Sequence, residues 1–563
     1  RARDDRPNFG NTGLTASPSH PLPSPEPFGY RAAVATFAGA ERRGVDSGVQ
    51  LAEVVASIAL AADLGLGQPL EHVLRTCVVA MGFADHLRLS QEDRDATYWV
   101  SLFTTAGCTG VSFELSAVFG DDIQFRHDVT DISPSTFDLM RFIIGRAGGG
   151  RGALTRARIK ADLLFTRMSA LERSFLAHCA VSAQLTNKLG LGELVETCLY
   201  QTFAQYNGKG LPRNLGGKEL LVPIQISNMA MQAVAMSRDK GLESALGYMN
   251  ACAGKIFDPQ LVSEFCANAS TLLAAKAEEQ TWDAVVGAQP TGRGPLTDEE
   301  LDEALALIGD YADLKSPWFT GHSRGVASLA VTAARVAGLP ATDIKTLERA
   351  AWVHDIGRNG VSNMIWDKPG PLTEFEMEKV RLHAYYTDRV LHNAGGLALL
   401  ASIASSAHER SGGSGYPRGI AGATIPLLGR FLEAADSYHA MIEDRPHRRA
   451  LSRDEAAKEL RRGAREGEYD GSAVDAVLSA AGHEVRRKPS APAGLTPREV
   501  EVLVLASKGG TTRAVAHALG IAPKTAGNHI ERIYAKIGVN SRAEAAMFAM
   551  QNGLLPNWET SEG

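Results

Sequence analysis

The stretch AAWVHDIGRNG, residues 350–360, places His354 directly before Asp355 in an otherwise helical run. Adjacent residues on a helix point about 100° apart, so these two side chains can share one centre only if other helices surround them. An isolated His-Asp pair is more often a surface or capping pair than a pair of ligands. The pair therefore predicts a metal site only if further ligands are found elsewhere in the chain.

The composition is that of a large globular protein. The chain has 563 residues, more than one hydrophobic core normally serves, with 44% hydrophobic and 22% charged residues. No run of eighteen or more uncharged apolar residues predicts a membrane span, and no secretory leader is evident. The six cysteines lack Cys-x-x-Cys spacing and all precede residue 267. We expect a cytoplasmic protein with buried, reduced thiols, a redox or metal role being the alternative.

Breaks in the helical periodicity indicate the domain organisation. Residues 1–30 are rich in Pro, Ser and Thr and are predicted to be a disordered leader. The segments GAQPTGRGPLTDEE (287–300) and RRKPSAPAGLTPRE (486–499) interrupt the later helical pattern with Pro and Gly. The predicted organisation is a helical domain at 31–286, a linker at 287–295, a helical domain at 296–485, a linker at 486–494 and a final module at 495–555.

An internal repeat relates the two helical domains. His322 lies thirty-three residues before Asp355, and His72 lies thirty-three before Thr105. LFTTAGCTG (102–110) then aligns with WVHDIGRNG (352–360), and NGKGLPRNLGG (207–217) aligns with GGSGYPRGIAG (412–422). One helical domain is therefore predicted to occur twice.

The second copy carries a set of residues that suits a metal. Imidazole nitrogens suit Fe, Zn or Mn, and a carboxylate can bridge two cations, which together activate water and neutralise a phosphate oxygen. We predict a divalent metal, Fe, Mn or Zn, in the second copy. Its candidate ligands are His322, His354, Asp355, His383, His408 and Asp436.

The first copy has lost most of these residues. Thr104 and Thr105 stand opposite His354 and Asp355, Phe203 opposite His408, and Met231 opposite Asp436, so that only His72 remains in this alignment. A single histidine is far more often a core or surface residue than a ligand. The first copy is predicted to be inactive, and the sequence leaves open whether it is a dimerisation scaffold or a pocket for a different small molecule.

The amino-acid sequence around the candidate ligands indicates a particular family more specifically than the ligands alone do. HDIGRNGVSNMIWDKPGPLTEFEMEKVRLH (354–383) and AHERSGGSGYPRGIAGATIPLLGRFLEAADSYHAM (407–441) closely resemble the HD-GYP branch of the HD phosphohydrolase superfamily, over about residues 316–480. The resemblance implies an all-helical domain that binds metals through the six residues above. Many members hydrolyse cyclic di-GMP. It also implies catalytic roles for His354, Asp355 and Arg358, and a ligand-binding loop at Gly415, Tyr416 and Pro417.

Three positions depart from the family pattern. Ala407 replaces the first of two consecutive histidines, Arg358 replaces a lysine, and Gly412 replaces an aspartate. Losing an imidazole lowers the affinity for one metal, whereas an arginine can still hold phosphate bidentately. We expect at least one metal to bind, and the sequence leaves hydrolysis open.

The last module predicts a helix-turn-helix. Thr512 is placed to cap a short helix, Gly520 allows a tight turn, and a third helix starts near Pro523. Residues 495–549 resemble the LuxR-type DNA-binding domain along their whole length. The apolar face of the third helix is predicted to carry Ala526, Ile530, Ile533 and Ile537. The opposite face, which would enter the major groove, carries Lys524, Thr525, Asn528, His529 and Arg532.

The charge distribution favours the same interpretation. Residues 486–548 contain ten Lys or Arg against four Glu, a net charge of +6, whereas the whole chain has a formal charge of −6. A small basic module on an acidic body is typical of a DNA-binding domain attached to a sensor. The alternative is a helical bundle with a solvated basic face.

Together these patterns predict an all-α protein: two tandem HD-domain helical bundles and a four-helix LuxR-type helix-turn-helix. We expect a bacterial, cytoplasmic, homodimeric transcription regulator that binds double-stranded DNA and RNA polymerase and no membrane. Its HD domains would sense a small ligand, with cyclic dinucleotides such as cyclic di-GMP favoured. The alternative is a metal-dependent phosphodiesterase with an accessory DNA-binding tail.

Overall fold

A computed structural model describes residues 48–555, apart from 130–131, 133–135, 166–168, 275–277, 293, 486–491 and 553. The predicted leader at residues 1–30 lies outside the described residues. Within them the secondary structure is helical, with three isolated β-bridges and no strand. The all-α prediction is confirmed.

The first half contains thirteen α-helices among the described residues. They are α1 (Leu51–Leu66), α2 (His72–His86), α3 (Gln91–Phe103), α4 (Ser112–Phe119), α5 (Asp122–Val129), α6 (Thr136–Arg146), α7 (Ala153–Phe165), α8 (Ser169–Lys188), α9 (Glu193–Tyr200), α10 (Val222–Lys240), α11 (Leu242–Cys252), α12 (Pro259–Leu272) and α13 (Glu278–Gly287).

The second half and the last module contribute thirteen more. The second half has α14 (Asp298–Asp313), α15 (His322–Ala337), α16 (Ala341–Val353), α17 (Asn363–Trp366), α18 (Glu374–His392), α19 (Ala398–Ala404), α20 (Leu427–Met441), α21 (Arg453–Glu466) and α22 (Gly471–Ala480). The last module has α23 (Pro497–Ser507), α24 (Thr512–Leu519), α25 (Pro523–Ile537) and α26 (Arg542–Gln551).

Capping boxes determine where several of these helices start. At α14 the Thr297 hydroxyl accepts a hydrogen bond from Glu300 N, and the Glu300 carboxylate accepts one from Thr297 N. This reciprocal pair satisfies two amides that the helix itself leaves without partners. The same arrangement starts α18, α21 and α23 at Thr373, Ser452 and Thr496.

Equivalent hydrogen bonds show that the two halves share a fold. Asp63 accepts a bond from Val73 N at 3.0 Å, and Asp313 accepts one from Ser323 N at 3.0 Å. These contacts anchor the first turns of α2 and α15, which begin at His72 and His322. The two loops aligned in the sequence also match: Leu211 N donates to Phe203 O at 2.8 Å, and Tyr416 N donates to His408 O at 3.0 Å. Both loops contain a cis X-Pro bond, Leu211–Pro212 and Tyr416–Pro417.

The first half differs by a longer segment between its third helix and α8. Helices α4 to α7 lie in this segment and have their own apolar cluster around Phe119, Phe125 and Ile143. Within the segment, α5 carries the buried Asp122. Its carboxylate lies 3.0 Å from Lys315 Nζ and 2.9 Å from Arg126 Nη1.

Asp122 links the two halves of the protein. Its Oδ1 accepts hydrogen bonds from Ser362 Oγ at 2.9 Å and Asn363 N at 2.8 Å, so it reaches the residues that directly follow the HDIGRNG stretch. Burial by itself would raise the pKa of Asp122, but Lys315 and Arg126 outweigh that effect and lower it to about 2. The charged carboxylate therefore holds the first half against the loop beside His354 and Asp355.

The predicted linker at 287–295 packs against the start of the first half. Gln289 Oε1 accepts a hydrogen bond from Ala52 N, and Leu296 N donates to Val49 O at 2.9 Å. In the described part of the chain one helical run, Gln91–Phe119, is long and apolar enough to cross a membrane. Within the protein, 67% of its most apolar window is buried, as in a core helix.

The last module is a four-helix unit, as predicted. Thr511, rather than Thr512, caps α24, because its hydroxyl accepts the bond from Ala514 N and Thr512 is already the first helical residue. Gly520 ends that helix in the left-handed region, at φ +65°. On α25 Ala526 and Ile533 are buried, and Ile530 and Ile537 pack partly buried against the same core.

Candidate metal centre

The second half brings together all six predicted ligands. Their donor atoms form two groups that share Asp355. The first group combines His322 and His354 with Asp355 and Asp436, and all four side chains are buried. The second group combines Asp355 with His383 and His408. A carboxylate common to two ligand groups is the arrangement by which proteins bridge two cations.

The distances within the first group are short. His354 Nε2 lies 2.8 Å from Asp355 Oδ2, and His322 Nε2 lies 3.5 Å from the same oxygen. His322 Nε2 is 3.2 Å from Asp436 Oδ1. Two helices and one turn therefore direct donor atoms to one point: α15 brings His322, α20 brings Asp436, and the turn that follows α16 brings His354 and Asp355.

The second group faces the other carboxylate oxygen. Asp355 Oδ1 lies 3.3 Å from His383 Nε2 and 3.7 Å from His408 Nε2. The two imidazole nitrogens are 2.7 Å apart. His408 also reaches the first group, because its Nδ1 lies 3.5 Å from Asp436 Oδ2.

Hydrogen bonds behind the imidazoles fix which nitrogen faces the centre. His354 Nδ1 donates to Ala351 O at 2.8 Å, and His383 Nδ1 donates to Val380 O in the same way. His322 Nδ1 lies 2.8 Å from Glu443 Oε2, a carboxylate partner of the kind that orients metal-bound histidines. In all three residues Nε2 therefore faces the centre, and it is the nitrogen that would bind a metal after losing its proton.

The charge at the centre suits a cation. Burial would raise the pKa of Asp355, but Arg358 and His354 keep it well below its usual value, so the carboxylate is charged. Burial and Arg358 oppose protonation of His322, yet Asp355, Asp436 and Glu443 raise its pKa to about 10. His354 Nε2 and both oxygens of Asp355 are buried and, although charged groups lie close to them, form no hydrogen bond of regular geometry. The donor set therefore fits a divalent metal, with Asp355 as the shared ligand.

Arg358 stands at this centre where the family pattern has lysine. Its Nη2 lies 2.5 Å from Asp355 Oδ2, and its guanidinium stacks 4.2 Å above the Phe319 ring. Its Nε and Nη1 are buried without hydrogen-bond partners. Asp355 and Phe319 hold the Arg358 guanidinium in place. Its two unsatisfied N–H donors could therefore donate hydrogen bonds to a phosphate oxygen.

The GYP loop is held by a buried glutamate that the sequence analysis did not single out. Glu409 is fully buried, and its two oxygens accept hydrogen bonds from Arg418 N at 2.8 Å and Ile420 N at 3.0 Å. The loop places the Tyr416 ring against His408, with centroids 5.1 Å apart and planes at 14°. Gly415 is required because a Cβ there would lie 2.3 Å from Arg410 N.

Two further residues of the centre were missed from the sequence. Glu443 orients His322 and also lies 2.7 Å from Arg445 Nη2. The signal was present as the spacing of His439 and Glu443, which are four residues apart on and just after α20 and lie 3.2 Å apart. Arg445 also lies over the Phe319 ring, with its guanidinium carbon 5.2 Å from the ring centroid.

The positions that depart from the family pattern lie at the same site. Ala407 is fully buried and supplies no donor atom. A Cβ at Gly412 would lie 3.2 Å from Gly467 O, so the loop passes close to the end of α21 there. Both changes remove polar groups without disturbing the six residues described above.

The corresponding region of the first half has a different chemistry. Thr104 Oγ1 donates to Val100 O and lies 3.1 Å from Ser227 Oγ, and Thr105 Oγ1 is buried without a partner. The prediction that only His72 remains was wrong, because His178 occupies the place of His383. A Cβ on Gly107 would meet His178 O at 2.1 Å, just as one on Gly357 would meet His383 O at 2.0 Å. The sequence alignment missed His178 because the first half has the longer segment before α8.

The cysteines of the first half are free thiols, and four of the six are buried. Burial raises the pKa of Cys179 to about 11 and that of Cys198 to about 12, which keeps these thiols protonated. Cys108 differs. Burial would raise its pKa, but His178, Arg126 and Lys315 lower it overall.

The predicted DNA-contacting residues share one side of α25. Lys524, Thr525, Asn528 and Arg532 are exposed, and His529 is partly exposed. Ala526 and Ile533 on the other side are buried in the core of the module. The side chains predicted to read DNA are therefore accessible to a partner.

Comparison with known proteins defines the class to which this fold and site belong. The HD domain family model matches residues 306–473, and the model for bacterial regulatory proteins of the luxR family matches residues 493–549. The chain belongs to the HD-GYP family and carries a C-terminal LuxR-type domain.

The chain is also similar to individual proteins of known activity or structure. The chain is 30% identical over 410 residues to the 3'3'-cGAMP-specific phosphodiesterase 3 of Vibrio cholerae, across 72% of this chain and 89% of that protein. It is 34% identical over 163 residues to a cyclic di-GMP phosphodiesterase of Thermotoga maritima, of which it covers 44%. A crystal structure of a cyclic GMP-AMP-specific phosphodiesterase from V. cholerae matches with a TM-score of 0.54 and 27% identity, over 77% of this chain and 98% of that one.

Proposed function

We propose that this protein is a DNA-binding transcription regulator whose second HD domain binds a cyclic dinucleotide at a divalent metal centre and thereby controls the DNA-binding domain. The observation that carries the proposal is the convergence of six metal-type ligands, five of them buried, in a chain that also has a LuxR-type domain. The relative that matches most of the chain is named as specific for 3'3'-cGAMP, so we place this nucleotide first and cyclic di-GMP second.

The proposed ligand sets for the metal follow the two groups around Asp355. His322, His354 and Asp436 would hold the first position with Asp355, and His383 and His408 would hold the second. Fe, Mn or Zn at these positions would act as a Lewis acid toward a phosphodiester. The Nε2 atoms that face the centre and the Glu443 carboxylate are the contributions of this chain to that binding.

Arg358 and the GYP loop would bind the nucleotide itself. The unsatisfied Nε and Nη1 of Arg358 are positioned for a non-bridging phosphate oxygen, and stacking on Phe319 keeps the guanidinium from turning away. Gly415, Tyr416 and Pro417 would line the nucleotide beside His408. In this proposal His354, Asp355 and Arg358 contact the reacting phosphodiester.

The DNA-binding domain would read its operator with the exposed side of α25. Asn528 can pair bidentately with adenine, whereas Lys524 and Arg532 can hold phosphate or guanine, and Thr525 and His529 complete the contact surface. Regulators of this type bind paired half-sites, so we expect a cytoplasmic homodimer that acts on RNA polymerase at double-stranded DNA.

A second candidate function is enzymatic: a metal-dependent cyclic dinucleotide phosphodiesterase with an accessory DNA-binding tail. The preformed pair of ligand groups around one carboxylate favours it, because such a pair activates water as well as binding phosphate. The loss of an imidazole at Ala407 disfavours rapid turnover, since one ligand position is empty of a donor.

One experiment compares the two candidates. An operator is selected from random DNA with the purified full-length protein, and its affinity is measured with and without 3'3'-cGAMP, cyclic di-GMP and linear pGpG. Nucleotide cleavage is followed in the same samples. The regulator proposal expects 3'3'-cGAMP to change operator affinity by about 5- to 150-fold in the wild type and not in Asp355→Ala. If no nucleotide changes the affinity and one is cleaved with ordinary turnover, the enzyme is the correct function.

A further inference from the structure

The first half contains a cavity of about 690 Å³ between α2, α10 and the α12–α13 region. It adjoins His72, the counterpart of His322. Its wall combines apolar side chains, including Val79, Val234 and Leu272, with polar and charged ones. A cavity of this size accommodates a small organic molecule.

The residues beside His72 in this cavity differ from those beside His322 in the second half. Seven residues after Asp436 stands Glu443, whereas seven residues after its counterpart Met231 stands Arg238. Glu443 holds the Nδ1 atom of His322. The carboxylate that holds the imidazole is therefore missing in the first half, and His72 Nδ1 is buried without a hydrogen-bond partner.

A second substitution adds another cation. Arg75 lies three residues after His72, at the position where the second half has Gly325, and it also lines the cavity. Arg238 Nε and Nη2 are held by Asp239, and Nη2 is also 2.7 Å from Gln68 Oε1, which fixes the direction of the guanidinium. Two arginines therefore line the cavity beside His72, whereas the counterpart His322 contacts the Glu443 carboxylate.

An additional buried polar atom belongs to the same cavity. Thr281 lines it, is only 1% exposed, and its hydroxyl has no hydrogen-bond partner. Buried donors and acceptors are normally paired in native proteins, because leaving one unsatisfied is destabilising. His72 Nδ1 and Thr281 Oγ1 are both such atoms, and both residues contact this cavity.

We infer that the first half is a receptor for a small organic anion, with a carboxylate or phosphate monoester between Arg75 and Arg238 and an apolar body along Val79, Val234 and Leu272. The anion would also satisfy His72 and Thr281. This inference does not rest on the proposed function of the second half, because the site uses neither the metal ligands nor a nucleotide.

The test measures binding of octanoate and octyl phosphate to the full-length protein by isothermal titration calorimetry, without metal or nucleotide. We expect at least one of the two to bind saturably, and uncharged octanol to bind at least about ten-fold more weakly. Comparing the affinities for octanoate and octyl phosphate identifies whether the site prefers a carboxylate or a phosphate head group. Arg238→Gln should weaken binding about ten-fold or more, whereas Arg158→Gln, a control on a side chain that is 85% exposed, should not.

A second variant separates loss of the site from loss of the fold. Val234→Phe keeps every charge and narrows the cavity, so it should abolish binding while circular dichroism and the thermal transition stay close to those of the wild type. Absence of saturable binding by both anions in the wild type would overturn the inference. So would equal binding of octanol, or octanoate affinity that neither Arg238→Gln nor Val234→Phe changes.

Discussion

The two halves of this protein have one fold and opposite chemistry at the same place. In the second half, buried carboxylates at Asp355, Asp436 and Glu443 surround His322. In the first half, His72 occupies the equivalent position, but threonine, methionine and arginine stand where those carboxylates would be. The contacts that place the histidine are the same, because Asp63 accepts a hydrogen bond from Val73 N and Asp313 accepts one from Ser323 N.

This difference shows that the scaffold and the chemistry are specified by separate residues. Loop glycines, the Asp63 and Asp313 contacts and the apolar helix faces maintain the fold in both halves. The ligand positions can change from acidic to neutral or basic without altering those contacts.

The largest expected effect concerns the junction between the halves. Asp122→Ala leaves Lys315 and Arg126 buried without their carboxylate, and removing one partner of a buried ion pair costs about 3–5 kcal/mol. We expect a matching loss in the free energy of unfolding, measured by urea titration. Asp162→Ala is the matched control, because Asp162 is an exposed acid on α7 at 4.0 Å from Arg158. An Asp122→Ala protein as stable as this control would show that the ion pair does not join the halves.

The lowered pKa of Asp122 also predicts how the stability of the protein changes at low pH. The pKa of Asp122 is lowered to about 2 in the folded protein, against about 3.9 in an unfolded chain, so its contribution is present above pH 4. This contribution is lost as the pH falls from about 4 to about 2, and it amounts to about 2–3 kcal/mol. Thermal unfolding of wild type and Asp122→Asn across this range should therefore converge as the pH falls. A constant difference between the two curves would contradict the assigned shift.

A smaller effect is expected on metal affinity, and it distinguishes the surroundings of His322 from those of His72. Glu443→Gln should reduce the metal affinity of the second half about 10- to 100-fold, because the amide orients His322 less strongly than the carboxylate does. The equivalent change in the first half, Arg238→Gln, should leave metal affinity unchanged. Competition with a fluorescent chelator measures both. Equal losses in the two variants would mean that the first half also contributes to metal binding.

The smallest effect lies outside the two halves, in the last module. Asn528→Ala should weaken specific operator binding by about 1–3 kcal/mol, whereas Lys524→Ala should weaken binding to all sequences and flatten the salt dependence. Fluorescence anisotropy with operator and scrambled duplexes distinguishes the two. Unchanged operator affinity in Asn528→Ala would reject α25 as the recognition helix.

Much of this organisation could be predicted from the sequence. The spacing of His322 and Asp355 indicated the repeat, and the helical periodicity indicated the all-α fold and the apolar face of α25. These signals are local or strictly periodic. The Thr511 cap was displaced by one residue because Thr511 and Thr512 are chemically equivalent and only the backbone geometry separates them.

Other features depend on contacts that no local pattern contains. His178 was missed because the added helices α4 to α7 change the spacing before it. Glu443, Glu409 and Asp122 act through partners far away in the chain: Asp122 reaches Asn363, 241 residues later. The cavity beside His72 is formed by helices whose packing brings Arg75 and Arg238 to one side, and sequence spacing alone does not show this.

The most direct test of the comparison is the metal content of three full-length proteins by elemental analysis. Asp355 and Thr105 occupy equivalent positions, so Asp355→Ala and Thr105→Ala make the same truncation in the two halves. We predict stoichiometric Fe, Mn or Zn in the wild type and in Thr105→Ala, and a loss of bound metal in Asp355→Ala. Metal retained in Asp355→Ala, or lost in Thr105→Ala, would contradict the assignment of the metal centre to the second half.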